Sequence, residues 1–235
     1  MNHQNIIAFL KKLSNKEIAA HSQTFFKTGK GEYGYGDQFL GIRVPILRKA
    51  VKQFQATPVT EISKLLKSEY HEARLLALLL LVQQFTTGDE TKREKIYRLY
   101  LKNIKYINNW DLVDSSAPYI VGAWLLDKNR TVLYELANAK LLWKRRVAII
   151  STAWFIKNNQ FDDTLKLAQI LLHDRQDLIH KAVGWMLREV SKRDVTIAEK
   201  FLKKHYKVMP RTMLRYAIEK FSKTRRQAYL KGELG

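Results

Sequence analysis

Apolar residues recur along this chain at three- and four-residue steps, and no stretch alternates polar and apolar positions long enough to argue for a sheet. The pattern predicts an all-α protein. The four prolines, Pro45, Pro58, Pro118 and Pro210, each sit where a helix begins. Thr57, ahead of Pro58, and Asp194, behind Lys192-Arg193, read as helix caps. This is the punctuation of helix pairs. One segment breaks it: residues 29–37, Gly-Lys-Gly-Glu-Tyr-Gly-Tyr-Gly-Asp, are too glycine-rich for a helix interior. The segment lacks the spacing of a phosphate-binding glycine loop and follows a helical stretch rather than a strand, so it reads as a connector.

A repeat emerges when small residues that follow a basic one by three are aligned: Arg74 with Ala77, Arg145 with Ala148, Lys181 with Gly184. The first gap is close to twice the second, which places a missing member near Asn109, and Arg215 continues the series loosely. A period in the mid-thirties with one helix pair per unit is the mark of an α-solenoid, whose repeats stack to bury faces that none buries alone. A generic helical bundle with matching helix lengths is the alternative. Residues at equal phases of the second helices share one side of such a stack. Measured from the aligned positions, Trp110, Asp114, Arg146 and Trp185 fall within less than half a helical turn, so a single ladder gathers all four. Pro118 limits the helix that carries Trp110 and Asp114, which must stop or kink soon after Asp114.

Charge gives the ladder a context. Lys and Arg number 42 against 22 Asp and Glu, a formal charge of +20. Nucleic acid is the partner this excess favours over a merely solvated surface or an acidic membrane. The absence of Cys excludes thiolate nucleophiles, disulfides and Cys-zinc sites, and the six His show no ligand spacing, so neither a metal nor a cofactor is expected. The opening MNHQNIIAFLKKLSNKE lacks the apolar core of a signal peptide, and LLALLLLV (residues 75–82) is too short to span a bilayer. A cytoplasmic monomer of one domain over residues 1–235 is the expectation.

Each ladder residue also has a plain reading. Trp185, in KAVGWMLREV, fits a core position; Asp114, ahead of Ser115-Ser116-Ala117-Pro118, fits a cap for the next helix; Arg146, in Lys144-Arg145-Arg146, fits a phosphate-contacting or solvated patch.

The segments NNWDLVDSSAP, LWKRRVAIIST and LIHKAVGWMLREV resemble the DNA alkylation repair family of HEAT-like glycosylases, and the resemblance runs from about Phe39-Leu40-Gly41-Ile42 to about Lys220. It implies a HEAT-like α-solenoid with a basic concave face that holds duplex DNA, and excision of positively charged N3- or N7-alkylated purines by cleavage of the N-glycosidic bond. By that resemblance Asp114 matches the catalytic carboxylate, Trp110 and Trp185 the aromatic residues flanking the lesion, and Arg146 a basic residue of the same cleft. Further phosphate contacts are expected from Lys144, Arg145, Lys181, Arg188, Arg211 and Arg215. The glycine-tyrosine loop replaces a plainer helical connection of active family members, and Phe25-Phe26 is the nearest candidate for an N-terminal aromatic contact. A catalytically silent HEAT-like module that binds nucleic acid or an acidic protein is the alternative, because function resides in sites and not in folds.

Overall fold

The computed structural model describes residues 2–233, which are helical apart from turns and an isolated bridge between Gln38 and Tyr70. The chain forms two compact units, Met1–Trp124 and Leu125–Gly235. Within each, helix pairs stack in the manner of an α-solenoid.

In the first unit the order is α1 (His3–Lys12), α2 (Lys16–Phe25), the glycine-tyrosine loop, α3 (Val44–Phe54), α4 (Val59–Leu65), α5 (His71–Thr87), α6 (Glu90–Lys102) and α7 (Trp110–Asp114). A π-helical turn, Pro118–Gly122, then runs into the short α8 (Ala123–Leu125). Helix α5 is apolar on every side, with Leu76, Leu78, Leu80 and Leu81 all fully buried, and such a helix belongs at the centre of a core. Helices α1, α3, α4 and α6 pack around it. This accounts for the leucine run; no helix among the described residues is long and apolar enough to cross a membrane.

The second unit contains α9 (Thr131–Ala137), α10 (Leu142–Lys157), α11 (Asp162–Ile170), α12 (Asp177–Arg193), α13 (Val195–His205), α14 (Arg211–Ala217) and α15 (Lys223–Lys231). The second helices of successive pairs, α10, α12 and α14, pack side by side. Second helices begin at 71, 110, 142, 177 and 211; Arg74 and Arg145 stand three residues past the starts of theirs and Lys181 and Arg215 four, whereas Asn109 precedes the shortened member α7 as its cap.

The basic residues that betray the repeat have a structural task. Arg74 Nη1 donates to the carbonyls of Ser68 and Glu69, and Arg145 Nη1 donates to those of Ala139 and Lys140, so each arginine closes the turn that precedes its own helix. At the next register position His180 reaches back to the Asp174 carbonyl instead, and Lys181 pairs with Asp177 at 2.7 Å. The small residues mark close approach. A Cβ on Gly184 would lie 2.4 Å from the Met213 carbonyl oxygen and 2.5 Å from Tyr216 Cβ, so α12 and α14 meet here without room for a methyl group. Gly184→Ala is expected to lower the unfolding free energy by about 1–3 kcal/mol even though alanine is the better helix former by about 1 kcal/mol. Urea denaturation checks this, and a stabilised variant would contradict the close packing.

The expected cap Asp194 accepts from the Ile197 N–H at 2.9 Å and starts α13. The expected cap Thr57 is corrected. Pro58 occupies the N-cap of α4 and carries no capping side chain, while Thr57 is buried and its carbonyl accepts from Gln84 Nε2 at 2.7 Å. The amide of Gln84, reaching from α5, instead ties down the segment ahead of α4 through the carbonyls of Gln55 and Thr57.

Candidate active site

Asn109, fully buried, begins α7 by accepting the Trp110 N–H at 2.8 Å on its side-chain oxygen. The helix runs for five residues and ends at Asp114, with Ser115 as its C-cap, ahead of Pro118. It therefore breaks where the proline requires. Asp114 occupies the last position of α7 and is half-buried. The turn that follows begins on the Ser116 carbonyl, which accepts from the Tyr119 and Ile120 N–H groups. Burial pushes the Tyr100 hydroxyl well above its ordinary range, and the negative charge of Asp114 adds to that rise.

Beside α7 lies an aromatic shelf. Trp110 stacks on Phe26 with ring centres 5.4 Å apart and meets the edge of Phe25 at 6.1 Å. Phe25 is 57% exposed, Trp110 and Phe26 are half-buried, and Phe26 stacks in turn on buried Phe39 at 5.1 Å. The pair Phe25-Phe26, reached from the sequence only as the nearest N-terminal aromatic candidate, thus meets Trp110 directly.

Beneath the shelf is a buried charged cluster that sequence reasoning missed. His71, 2% exposed, places Nε2 2.8 Å from Asp111 Oδ2 and Nδ1 3.1 Å from Asp37 Oδ2. Arg74 donates to Asp37 Oδ1 at 2.6 Å, and Asn108 donates to the same oxygen at 3.2 Å. With a carboxylate at each ring nitrogen, only the imidazolium donates to both. Burial alone would push the His71 pKa down, but Asp111 and then Asp37 outweigh it and raise the value to about 9. Burial likewise raises Asp37, and its bonds to His71 and Arg74 more than offset this and hold it below the usual carboxylate value.

The glycine-tyrosine loop is what delivers Asp37 to this cluster, and the segment after it is clamped by Glu72. This buried carboxylate accepts the N–H groups of Leu40 at 2.9 Å, Gly41 at 2.7 Å and Ile42 at 3.1 Å. Gly41 has φ +77°, and a Cβ there would lie 2.1 Å from the Asn15 carbonyl oxygen, so only glycine fits.

The pH dependence of stability follows from His71. Its folded pKa, about 9, lies above the ordinary 6.5, so the stabilisation is complete below pH 6.5 and is lost as pH rises through 9. The gap in unfolding free energy between the wild type and His71→Gln is expected to be on the order of 3 kcal/mol near pH 6 and to shrink steadily up to pH 10. Urea titrations at a series of pH values measure it, and a constant gap would refute the ion pairing.

The second unit holds the remaining candidates. Arg146 on α10 is 4% exposed and donates from Nη1 to the Leu178 carbonyl at 2.5 Å, at the start of α12. Trp185 on α12 is half-buried, neither a closed core residue nor a free surface one, and its Nε1 donates to Glu189 Oε1 at 3.1 Å. The six residues expected at phosphates differ in what they already hold. Arg145 is bound to the Asp174 carboxylate at 2.5 Å besides its two carbonyls, Arg188 pairs with Glu219, and Lys181 pairs with Asp177. Arg211 is exposed and donates to the Leu230 carbonyl at 3.0 Å, and Lys144 and Arg215 are exposed.

No curated protein sequence matches the chain. The structure of a predicted DNA alkylation repair enzyme from Enterococcus faecalis is similar in fold, with a TM-score of 0.71 over 89% of this chain and 97% of that one, at 21% identity. The family described as DNA alkylation repair enzyme matches residues 6–221. The match takes in both units and every candidate residue from Phe25 to Arg215, so the chain belongs to the DNA alkylation repair enzyme family.

Proposed function

We propose that this protein is a monofunctional DNA glycosylase that removes positively charged N3- and N7-alkylated purines from duplex DNA. The observation that carries the proposal is the short helix α7, which presents a half-buried carboxylate, Asp114, and a partly exposed indole, Trp110, beside the Phe25-Phe26 shelf in a member of a DNA alkylation repair family.

The chemistry suits these side chains. An alkylated purine already carries positive charge and leaves readily, so the cost lies in the charge that develops on the deoxyribose as the C1′–N bond breaks. The electron pair of that bond neutralises the departing base. Water then bonds to C1′ and loses a proton, leaving an abasic sugar. Asp114 stabilises the cationic sugar and orients the water, as carboxylates do at other oxocarbenium-like transition states. Aromatic faces attract cations by about 0.5–2 kcal/mol, which suits Trp110 and Trp185 to the charged base and sugar. The +20 charge draws the duplex, with exposed Lys144, Arg211 and Arg215 available to its phosphates, while buried Arg146 holds the start of α12, the helix that carries Trp185.

The test is incubation with duplex DNA bearing 7-methylguanine or 3-methyladenine, followed by chromatographic detection of free base. Release well above the spontaneous rate is the expected result. Salt-sensitive DNA binding without release would favour a silent DNA-binding module.

A further inference from the structure

The imidazole between Asp37 and Asp111 takes no part in the chemistry above, yet both halves of the candidate site rest on it. A five-residue helix does not hold its own conformation, and α7 depends on tertiary anchors. One is the Asn109 side chain at its start; the other is Asp111, held 2.8 Å from His71 Nε2 on α5. Asp111 lies directly after Trp110 and one helical turn before Asp114, so its grip fixes where both point. The same imidazole supports the shelf: its ring stacks on Phe39 at 4.5 Å and leans on Phe26 at 5.0 Å, and Phe26 carries Trp110.

We infer that His71, as a doubly hydrogen-bonded imidazolium, is a positioning residue for base release: through Asp111 and Phe26 it sets the placement of Trp110 and Asp114, and its deprotonation loosens both. The inference rests on the glycosylase reading. The charged groups that face the ring are Asp37 from the glycine-tyrosine loop, Asp111 from α7 and Arg74 from one turn further along α5. Neighbouring Glu72 spends its carboxylate on the N–H groups of residues 40–42. The two aspartates hold the proton on the ring and Arg74 opposes them, which places the transition near pH 9. When the proton departs to solvent, one ring nitrogen turns a lone pair toward a carboxylate, and the bond to one anchor is lost.

Two measurements on the intact protein test this together. The kcat for release of 7-methylguanine is followed from pH 6 to 10, corrected for spontaneous loss, while the ring resonances of His71 are titrated by NMR and assigned by their absence in His71→Gln. An alkaline fall in kcat that coincides with the His71 titration is the expected outcome. Asp111→Asn removes one counter-charge and moves both the fall in kcat and the titration of His71 to lower pH by roughly one to three units, with a reduced plateau below it. His71→Gln lowers the plateau by about tenfold to a hundredfold, the cost of a small misplacement of reacting groups, and abolishes this alkaline fall. A merely structural histidine would lower the amount of folded protein without tying the pH profile to its own titration. A kcat that stays level through the titration, or an alkaline fall that Asp111→Asn leaves in place, overturns the inference while the glycosylase reading stands. Absence of base release at every pH overturns both.

Discussion

Asp114→Asn is expected to reduce release of 7-methylguanine by roughly two to three orders of magnitude, the loss seen when one preorganised electrostatic partner of a developing charge is removed. The side chain keeps its size and its hydrogen-bonding reach, so the change isolates the charge. Duplex binding is expected to stay within about threefold of wild type, because one carboxylate among 22 acidic residues barely alters the field of a chain with 42 basic ones. Thermal stability is expected to change little, since the substitution is isosteric at a half-buried position. The decisive comparison is single-turnover base release against binding to the same methylated duplex, both at one salt concentration. An Asp114→Asn protein that releases base at the wild-type rate would remove the carboxylate from the mechanism, and one that fails to bind would make Asp114 an architectural residue.

The sequence carried the repeat because its cause is local. Arg74 and Arg145 each close a turn five and six residues behind them, so the same residue type returns in these two pairs and leaves a period that one chain can display. The leucines of α5 and the prolines at helix starts are local in the same sense. Trp110 and Asp114 were legible as a pair because one five-residue helix carries both.

The cluster around His71 left no such trace. Its partners Asp37 and Asp111 lie 34 and 40 residues away, and neither spacing repeats or matches a motif. The glycine-tyrosine loop was visible as a break in the pattern, but its purpose depends on where its last residue, Asp37, is received. The one available signal was the conjunction of an aspartate closing that loop with a histidine, a glutamate and an arginine in the first turn of a helix that continues as the apolar run of residues 75–82, a place where charge is costly unless paired. Arg145 marks the opposite limit. A basic run promised phosphate contacts, whereas the Asp174 carboxylate and two carbonyls already hold its guanidinium.

The largest loss of stability is expected from Glu72→Ala. The three N–H groups of Leu40, Gly41 and Ile42 point at one carboxylate in a buried position, and the left-handed Gly41 fixes the chain so that they converge. Removing the carboxylate strands donors that cost about 1–3 kcal/mol each when unpaired, so about 3 kcal/mol or more is expected even after the segment relaxes, a large share of the 5–15 kcal/mol that holds a typical domain folded. Glu72→Gln is the informative companion. Its single oxygen still serves Gly41 and Ile42, while its amide nitrogen opposes the Leu40 N–H donor to donor, so about 1–3 kcal/mol is lost. Urea denaturation followed by tryptophan fluorescence orders the three proteins, with wild type above Gln and Gln above Ala. The same order is expected in base release at a temperature where all three are folded, because residues 40–42 fix the position of Phe39, on which both Phe26 and His71 stack. A Glu72→Ala protein within about 1 kcal/mol of wild type would mean that the loop is held by its apolar side chains alone, and the buried carboxylate would then be a passenger in the site it underlies.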